Sequence, residues 1–245
     1  MLKTVTATRY VTPLREGGSL PGLMESDDLG TYVVKYVGAG QGRKTLVSEI
    51  VCAGLARALR LPVPDLVLVD VDPLLGRSEP DEEVQDLLQA SAGLNLGMDF
   101  LPGSFGFDPL AHTLNPLLAS TILWFDAYVG NVDRSWRNPN LLMWHRTPWL
   151  IDHGACLVFH HSWGRSAGWA TKPYDATGHV LSEQATARDE VDASALTDGV
   201  LLAVLDDVPD VWLADEEGFD APEAVRRAYV AQLRARLQAE QVWRP

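Results

Sequence analysis

The segment NVDRSWRNPNLL, residues 131–142, joins a long apolar run to a pair of short strand-forming runs. Before it lies PLLASTILWFDAYV, which Asn115, Pro116 and Gly130 bracket as a helix. Asparagine caps helix N-termini, proline suits the first helical position, and glycine suits the residue past the last turn. From the last three residues of this segment onward, NLLMWH and PWLID are apolar runs of strand length, which predicts a β-hairpin. This position between a buried helix and a hairpin favours a catalytic loop, although the same residue types also form ordinary polar turns.

The spacing of acidic and amide residues in this region predicts a phosphoryl-transfer site. Asp133 is followed after four residues by Asn138, and Asp152 ends an apolar strand in WLIDHGA. Protein kinases use an aspartate at the first position to accept the substrate hydroxyl proton, and the asparagine and second aspartate to bind Mg²⁺. Hard oxygen ligands of this kind are those that Mg²⁺ prefers. Asn140, directly before the leucines, is the rival metal ligand, and the four-residue gap favours Asn138.

A lysine and a glutamate nearer the N-terminus extend this prediction. Lys35 lies inside the apolar strand TYVVKYV, where a charge is costly unless it faces a partner or a ligand. It is therefore a candidate phosphate-binding lysine, with a lysine that snorkels to solvent as the alternative. Glu49 lies on the small-residue face of the following helix and is placed to pair with Lys35. For Glu49 the alternative is a solvated helix face.

The order of predicted elements divides the chain into two parts. The first contains strands in VTATRYV, TYVVKYV, DLVLVDVD and LGMDFL, helices in TLVSEIVCAGLARALRL and EPDEEVQDLLQASAG, and the turn-rich connection LREGGSLPGLMESDDLG. The Gly/Pro-rich run PGSFGFDP marks the boundary, which predicts domains 1–102 and 103–245. The second part is mostly helical, and its last helix is predicted to begin with Asp220 and Glu223 as a capping box.

Composition limits the partners of the chain. With 245 residues and 47% hydrophobic content, it can bury a sizeable core. A formal charge of −13 and the lack of a basic stripe argue against nucleic acid as a partner. No apolar leader and no membrane-length apolar run are visible, so we expect no membrane association. Cys52 and Cys156 lie in apolar surroundings, which favours buried unpaired thiols and a cytoplasmic location.

The sequence resembles the HipA-like kinases, which are relatives of HipA serine/threonine kinases and, more distantly, of phosphatidylinositol kinases. The resemblance rests on YVVKYVGAGQGRKTLVSEIVCAGLARALRLPVP, FDAYVGNVDRSWRNPNLL and WLIDHGACLVFHH, and it extends over nearly the whole chain. It implies an α+β, two-lobed protein-kinase-like fold, with an N-lobe of antiparallel strands plus one helix and a mostly helical C-lobe. It also implies ATP and Mg²⁺ as cofactors and a serine or threonine hydroxyl of a protein as acceptor.

The resemblance assigns a role to each candidate residue. Lys35 contacts nucleotide phosphates, Glu49 orients Lys35, and Asp133 is the catalytic base. Mg²⁺ is bound by Asn138 and Asp152. The remaining nucleotide-binding candidates are the glycine-rich segment and the adenine-lining hinge, which contribute Gly17, Gly18, Ser19, Gly22, Asp99, Phe100 and Leu101.

Several departures from the family pattern keep alternatives open. GGSLPG is not G-x-G-x-x-G, Asp133 follows Asn-Val rather than His-Arg, and His153 stands where phenylalanine is usual. A nucleotide-binding pseudokinase or scaffold, or a kinase of aminoglycoside-type small molecules, would explain them. Ser19 is a candidate for autophosphorylation or simply a turn residue. A zinc site at His153, His160 and His161 is less favoured, because their spacing matches no familiar zinc pattern.

Overall fold

The computed structural model of the chain describes residues 1–15, 20–40 and 42–245. These residues form two compact units, the first from residues 1–47 and 64–102 and the second from 48–63 and 103–245. The units separate after Pro102, where the sequence places the domain boundary, but residues 48–63 differ from that prediction by belonging to the second unit. Hydrogen bonds explain this assignment. The Ser48 hydroxyl donates to the carbonyl of Cys156 over 3.0 Å, and the Leu150 amide donates to the carbonyl of Pro62 over 2.8 Å.

Five strands of the first unit close into a barrel in the order β1-β2-β3-β5-β4. Their bounds are β1 Thr4–Pro13, β2 Gly22–Ser26, β3 Thr31–Lys35, β4 Leu66–Val71 and β5 Gly93–Asp99. Neighbouring strands are antiparallel except β1 and β4, which pair in parallel and close the barrel. The prediction of antiparallel strands alone is therefore wrong for that pair. The single helix that the family resemblance implies is one too few, because this unit contains α2 (Glu82–Ala90), which the sequence pattern predicts, as well as the first turns of α1 (Gly42–Ala58).

Strand β2 lies within the segment that the sequence presents only as a turn-rich connection. Met24 of β2 is fully buried in the barrel core beside Val34 and Tyr36. Gly22 begins the strand, and a Cβ at this position would lie 2.7 Å from the Tyr10 ring. Glycine is thus required here for close packing, and the glycine that suggested a loop belongs to a strand. Gly17, Gly18 and Ser19 lie outside the described residues.

The second unit combines a small sheet with helices. Its sheet has the order β6-β7-β8, from β6 Phe105–Gly106, β7 Leu141–Trp144 and β8 Thr147–Leu150, and β7 and β8 form the predicted hairpin. Its remaining helices are α3 Pro116–Val129, α4 Asp198–Asp206, α5 Asp210–Leu213, α6 Pro222–Gln238 and α7 Glu240–Trp243. No helix in the described part of the chain is long and apolar enough to cross a membrane.

Local sequence signals set the limits of α3 but not of α6. Asn115 caps α3 by accepting the amides of Leu117 and Leu118, and Gly130 ends it with a φ of 71°. The prediction for this helix is confirmed. The predicted capping box at α6 is wrong, since the cap residue is Ala221 and makes no side-chain cap bond. A proline in the first turn starts α6 instead.

The barrel leaves no room for a side chain at Gly97 of β5. A Cβ there would lie 2.6 Å from a methyl group of Val69 and 2.9 Å from one of Val67. We therefore expect Gly97→Ala to lower the free energy of unfolding by about 1–3 kcal/mol through overpacking, measured by urea denaturation. The control is Gly40→Ala, because no atom lies within 4 Å of a Cβ built at Gly40. Equal midpoints for the two variants would contradict this account of the barrel.

Candidate active site

A buried ion pair lies at the base of the loop that follows α3. Asp126, on α3, accepts a hydrogen bond of 2.6 Å from Nε of Arg134 and one of 2.9 Å from Nε2 of His179 at the same oxygen. Its other oxygen accepts the side-chain amide of Asn131 over 2.8 Å. Burial raises the pKa of Asp126, but the charge of Arg134 and the bond from His179 outweigh it and lower the pKa to about 2. The carboxylate is therefore charged and fully engaged.

Arg134 ties the loop to the hairpin that follows it. Its Nη1 donates to the carbonyls of Pro139 and Asn140, the former over 3.4 Å. Its Nη2 lies 3.1 Å from Nε2 of His153, directly beyond Asp152. The Arg134 guanidinium thus binds Asp126 of α3, the end of the loop, and His153, which directly follows Asp152. Arg134 therefore joins α3, the loop and the segment after β8 through one side chain.

The hydrogen bonds around the two histidines assign their tautomers. The Leu181 amide donates to Nδ1 of His179 over 3.1 Å, so the proton of this ring is on Nε2 and is donated to Asp126. Arg134 donates to Nε2 of His153, so the proton of that ring is on Nδ1. This atom lies 3.7 Å from the carboxylate of Glu49. Both rings therefore serve as fixed parts of the loop support.

Glu49 has a contact that the sequence did not indicate. It is buried in the second unit and accepts the main-chain amide of His153 over 3.0 Å. This bond fixes the backbone next to Asp152. The pairing of Glu49 with Lys35 remains a prediction.

Asp133 is held by two asparagine side chains. Its Oδ2 accepts Nδ2 of Asn138 over 3.0 Å and Nδ2 of Asn140 over 3.1 Å. Its main-chain amide donates to the side chain of Asn131 over 3.0 Å. The structure therefore brings Asp133 together with Asn138 and Asn140, which are the two candidates for the metal ligand. With both amide nitrogens turned toward the carboxylate, the amide oxygens are the atoms that remain to bind a cation.

The hairpin places Asn140 and Asp152 at the same end of the small sheet. Asn140 directly precedes β7, Asp152 follows β8, and the two strands pair Leu141 with Leu150. The Ile151 amide donates to the Asn140 carbonyl over 3.1 Å. Asn140 and Asp152 both have left-handed backbones, with φ of 47° and 57°. Asparagine and aspartate adopt this region more readily than other side chains, so residue type and backbone agree.

In the first unit, Lys35 ends β3 and pairs with Leu96 of β5. Its neighbours Val34 and Tyr36 point into the barrel core, so the Lys35 side chain is on the opposite face. It is nevertheless only 5% exposed. A lysine snorkelling to solvent does not fit this burial.

The predicted hinge follows the last strand of the barrel. Asp99 ends β5, and its main-chain amide donates to the carbonyl of Asp65. The main-chain amide of Phe100 donates to the carbonyl of Thr31. Burial, together with the charges of Asp65 and Asp28, raises the pKa of Asp99. Leu101 beyond them is buried. The segment is therefore an ordered extension of the barrel edge.

His160 and the two cysteines are buried in the second unit. Nδ1 of His160 lies 2.7 Å from the hydroxyl of Tyr229. Nε2 of His160 lies 3.2 Å from Nε2 of His161. The described residues contain no group of three or more His, Cys, Asp or Glu that could hold a metal. Cys52 and Cys156 are buried free thiols, as predicted, and burial raises the pKa of both.

The supporting residues Asp126, Asn131, Arg134 and His179 are absent from the sequence-based site. Asp126 carries a signal that points to them, since a carboxylate inside a helix that is apolar nearly all round must have buried partners. The identity of those partners depends on tertiary contacts.

Comparison with known proteins identifies the fold and the family of the chain. In the crystal structure of a Helicobacter pylori proinflammatory kinase, CtkA, 98% of that chain superposes on 97% of this one, with a TM-score of 0.57 and 11% sequence identity. This likeness shows a shared fold. No curated protein sequence matches the chain. A family model described as HipA-like kinase matches residues 8–245. With a match of that length, the chain belongs to the HipA-like kinase family.

Proposed function

We propose that the chain is an ATP- and Mg²⁺-dependent phosphotransferase whose acceptor is a serine or threonine hydroxyl of a protein. The two units are then the lobes of a kinase, with residues 1–102 forming the nucleotide-binding lobe apart from 48–63. The observation that carries the proposal is the arrangement of Asp133. Its carboxylate is held by Asn138 and Asn140 on a loop immobilised by Arg134.

Asp133 has the properties of a residue that positions an acceptor hydroxyl. Both asparagine amides bind Oδ2, so we assign Oδ1 to the hydroxyl. The side chain is only partly buried, which leaves it accessible to a substrate. A carboxylate in this role orients the attacking oxygen and accepts its proton as the phosphoryl group is transferred.

The donor set of Asn138 and Asp152 fits Mg²⁺. Asn138 offers an amide oxygen and Asp152 a carboxylate, both hard ligands. Proteins commonly hold Mg²⁺ by one or two carboxylates and let substrate phosphates and water complete the coordination. The small number of protein ligands here is therefore compatible with the ion. When bound, Mg²⁺ would neutralise phosphate charge during transfer.

For Lys35 and Glu49 we propose the roles that the family resemblance implies. The buried ammonium of Lys35 supplies a positive charge for the phosphates, and Glu49 orients it. The bond from His153 gives Glu49 a second task, because it also holds the backbone beside Asp152. Gly17, Gly18, Ser19 and Gly22 would cover the nucleotide, and Asp99, Phe100 and Leu101 would line the adenine.

Two other functions predict different outcomes. A pseudokinase scaffold would bind nucleotide without transferring phosphate. A small-molecule kinase would use the same loop on a cationic acceptor, for which the charge of −13 is favourable. The ordered loop around Asp133 supports an enzyme over a scaffold.

The first test is metal-dependent nucleotide binding. We expect ATP with Mg²⁺ to raise the Tm, since a ligand at about a hundred times its Kd stabilises by about 2.7 kcal/mol. ATP with EDTA should shift the Tm much less. Asp152→Asn should lose the metal-dependent part of the shift, whereas the exposed Glu217→Gln should keep it. Equal shifts with and without metal would refute Asn138 and Asp152 as ligands.

The second test separates the base from the metal ligand. We expect Asp133→Asn to lower kcat about 10²–10⁴-fold while ATP affinity stays near wild type, because the change removes a base and no phosphate contact. Asn138→Ala should lower both ATP affinity and turnover. Asn140→Gly keeps the left-handed backbone and should be milder than Asn138→Ala in ATP affinity. Calorimetry and single-turnover transfer measure the two effects.

This comparison also has a clear failing result. Wild-type transfer by Asp133→Asn would leave the loop without a catalytic role. Loss of ATP affinity in Asn140→Gly but not in Asn138→Ala would exchange the two asparagines as metal ligand.

The third test concerns Lys35. We expect Lys35→Met to lower phosphoryl transfer sharply with an intact fold, because the charge serves the phosphates and not the core. Glu49→Gln retains an acceptor for the His153 amide and should act in the same direction more weakly. Lys172→Met removes the same charge at an exposed site and serves as control. Turnover assays and circular dichroism distinguish lost function from lost fold. Wild-type turnover of Lys35→Met would refute the assignment.

A further inference from the structure

The second unit contains a cavity of about 620 Å³ beside the loop that carries Asp133. Trp136 and Pro139 of that loop form part of its lining. Leu110 lies in the lining as well, as does the segment 177–180. The volume is within the usual range for clefts that bind ligands.

The wall of this cavity is continuous with the support of the loop. His179 lines the cavity and also donates to Asp126. Ser135 of the loop forms an isolated β-bridge with His179, and the amide of Val180 donates to the carbonyl of Arg134 over 3.2 Å. The cavity is therefore held in a fixed position relative to the loop that presents Asp133.

Two large apolar side chains of the cavity face water. Trp136 is 66% exposed and Leu110 is 96% exposed. The guanidinium of Arg137 lies 5.2 Å from the centroid of the Trp136 ring, a cation–π contact. Arg137 therefore occupies one face of the indole, and much of the ring remains exposed. Apolar and aromatic side chains are the usual lining of pockets that bind ligands.

The charged residues of the cavity are acidic. Asp108 and Glu183 line it and are exposed, and its described lining contains no lysine or arginine. His179 does not alter this balance, because its Nδ1 accepts an amide and its Nε2 donates to Asp126. Two carboxylates in a concave site attract a cation, and an overall charge of −13 strengthens the field.

We propose that this cavity binds an arginine-containing segment of the protein substrate and thereby presents a neighbouring hydroxyl residue to Asp133. Arginine fits better than lysine, because its planar guanidinium pairs with carboxylates and stacks on an indole such as Trp136. The proposal rests on the proposed function and narrows it to basic peptide acceptors. The acidic pair Asp108 and Glu183 sets the preference, and Trp136 provides the stacking surface.

The test measures peptide binding separately from phosphate transfer. Serine peptides with one arginine at successive positions are compared by calorimetry with the same peptides containing uncharged citrulline. We expect citrulline to raise the Kd about fivefold at the preferred position, the size of one exposed ion pair. In the double variant Asp108→Asn, Glu183→Gln the difference in Kd between the two peptides should shrink to what Trp136 alone contributes. Asn at position 108 keeps the acceptor that binds the Leu110 amide.

A matched control separates the cavity from the overall charge. The double variant Glu217→Gln, Asp220→Asn changes the net charge equally at exposed positions outside the cavity. It should keep the preference for arginine. Trp136→Ala should weaken binding of the arginine peptide more than that of the citrulline peptide.

Several results would overturn the proposal. These are equal affinity for arginine and citrulline peptides at every position, loss of the preference in the control variant, or saturable binding of an aminoglycoside with no binding of peptides. Failure of the proposed function gives a different result. Peptides would then bind with the expected preference, but wild-type protein would transfer no phosphate to them.

Discussion

The ion pair between Asp126 and Arg134 is the interaction on which the candidate site depends. Both side chains are fully buried, and a buried charge is tolerated only when its partners satisfy it completely. Here Asp126 accepts from Arg134, His179 and Asn131, while the guanidinium also binds the end of the loop and His153. Removing one member of such a pair typically costs about 3–5 kcal/mol, because it leaves an uncompensated charge. The loop can therefore adopt few other conformations without a large energetic penalty.

This pair also joins segments that are far apart in the sequence. His179 reaches it from a turn beyond the hairpin, and His153 connects it to Glu49 of α1. A single buried network thus spans the helix before the loop, the loop itself and the backbone next to Asp152. Networks in a low-dielectric interior are rigid when every member is satisfied, as the tautomers of both rings allow here. Preorganised groups of this kind need little rearrangement when a substrate binds.

The features that could be predicted from sequence are those set by local contacts. The limits of α3 follow from Asn115 and Gly130, which act within one turn, and the hairpin follows from two apolar runs and a short connection. Strand β2 was missed, because its glycine serves packing rather than a turn. The parallel pairing of β1 with β4 and the contacts of Arg134 were missed for another reason. They join residues that only the folded chain brings together, and no spacing in the sequence encodes them.

Some residues of the loop support its backbone, and others are exposed. Asn131, Arg134 and Asn140 are buried and support the backbone, whereas Trp136 and Asn138 are exposed. Asp133 lies between these two groups, with one oxygen bound by the asparagines and a partly accessible side chain. This division explains why one short segment contains arginines, amides and an exposed tryptophan. The buried groups Asn131, Arg134 and Asn140 support the backbone around Asp133, and the exposed Asn138 also donates to its carboxylate. Trp136 is exposed and lines the acidic cavity, which is the position that the proposed binding of an arginine side chain requires.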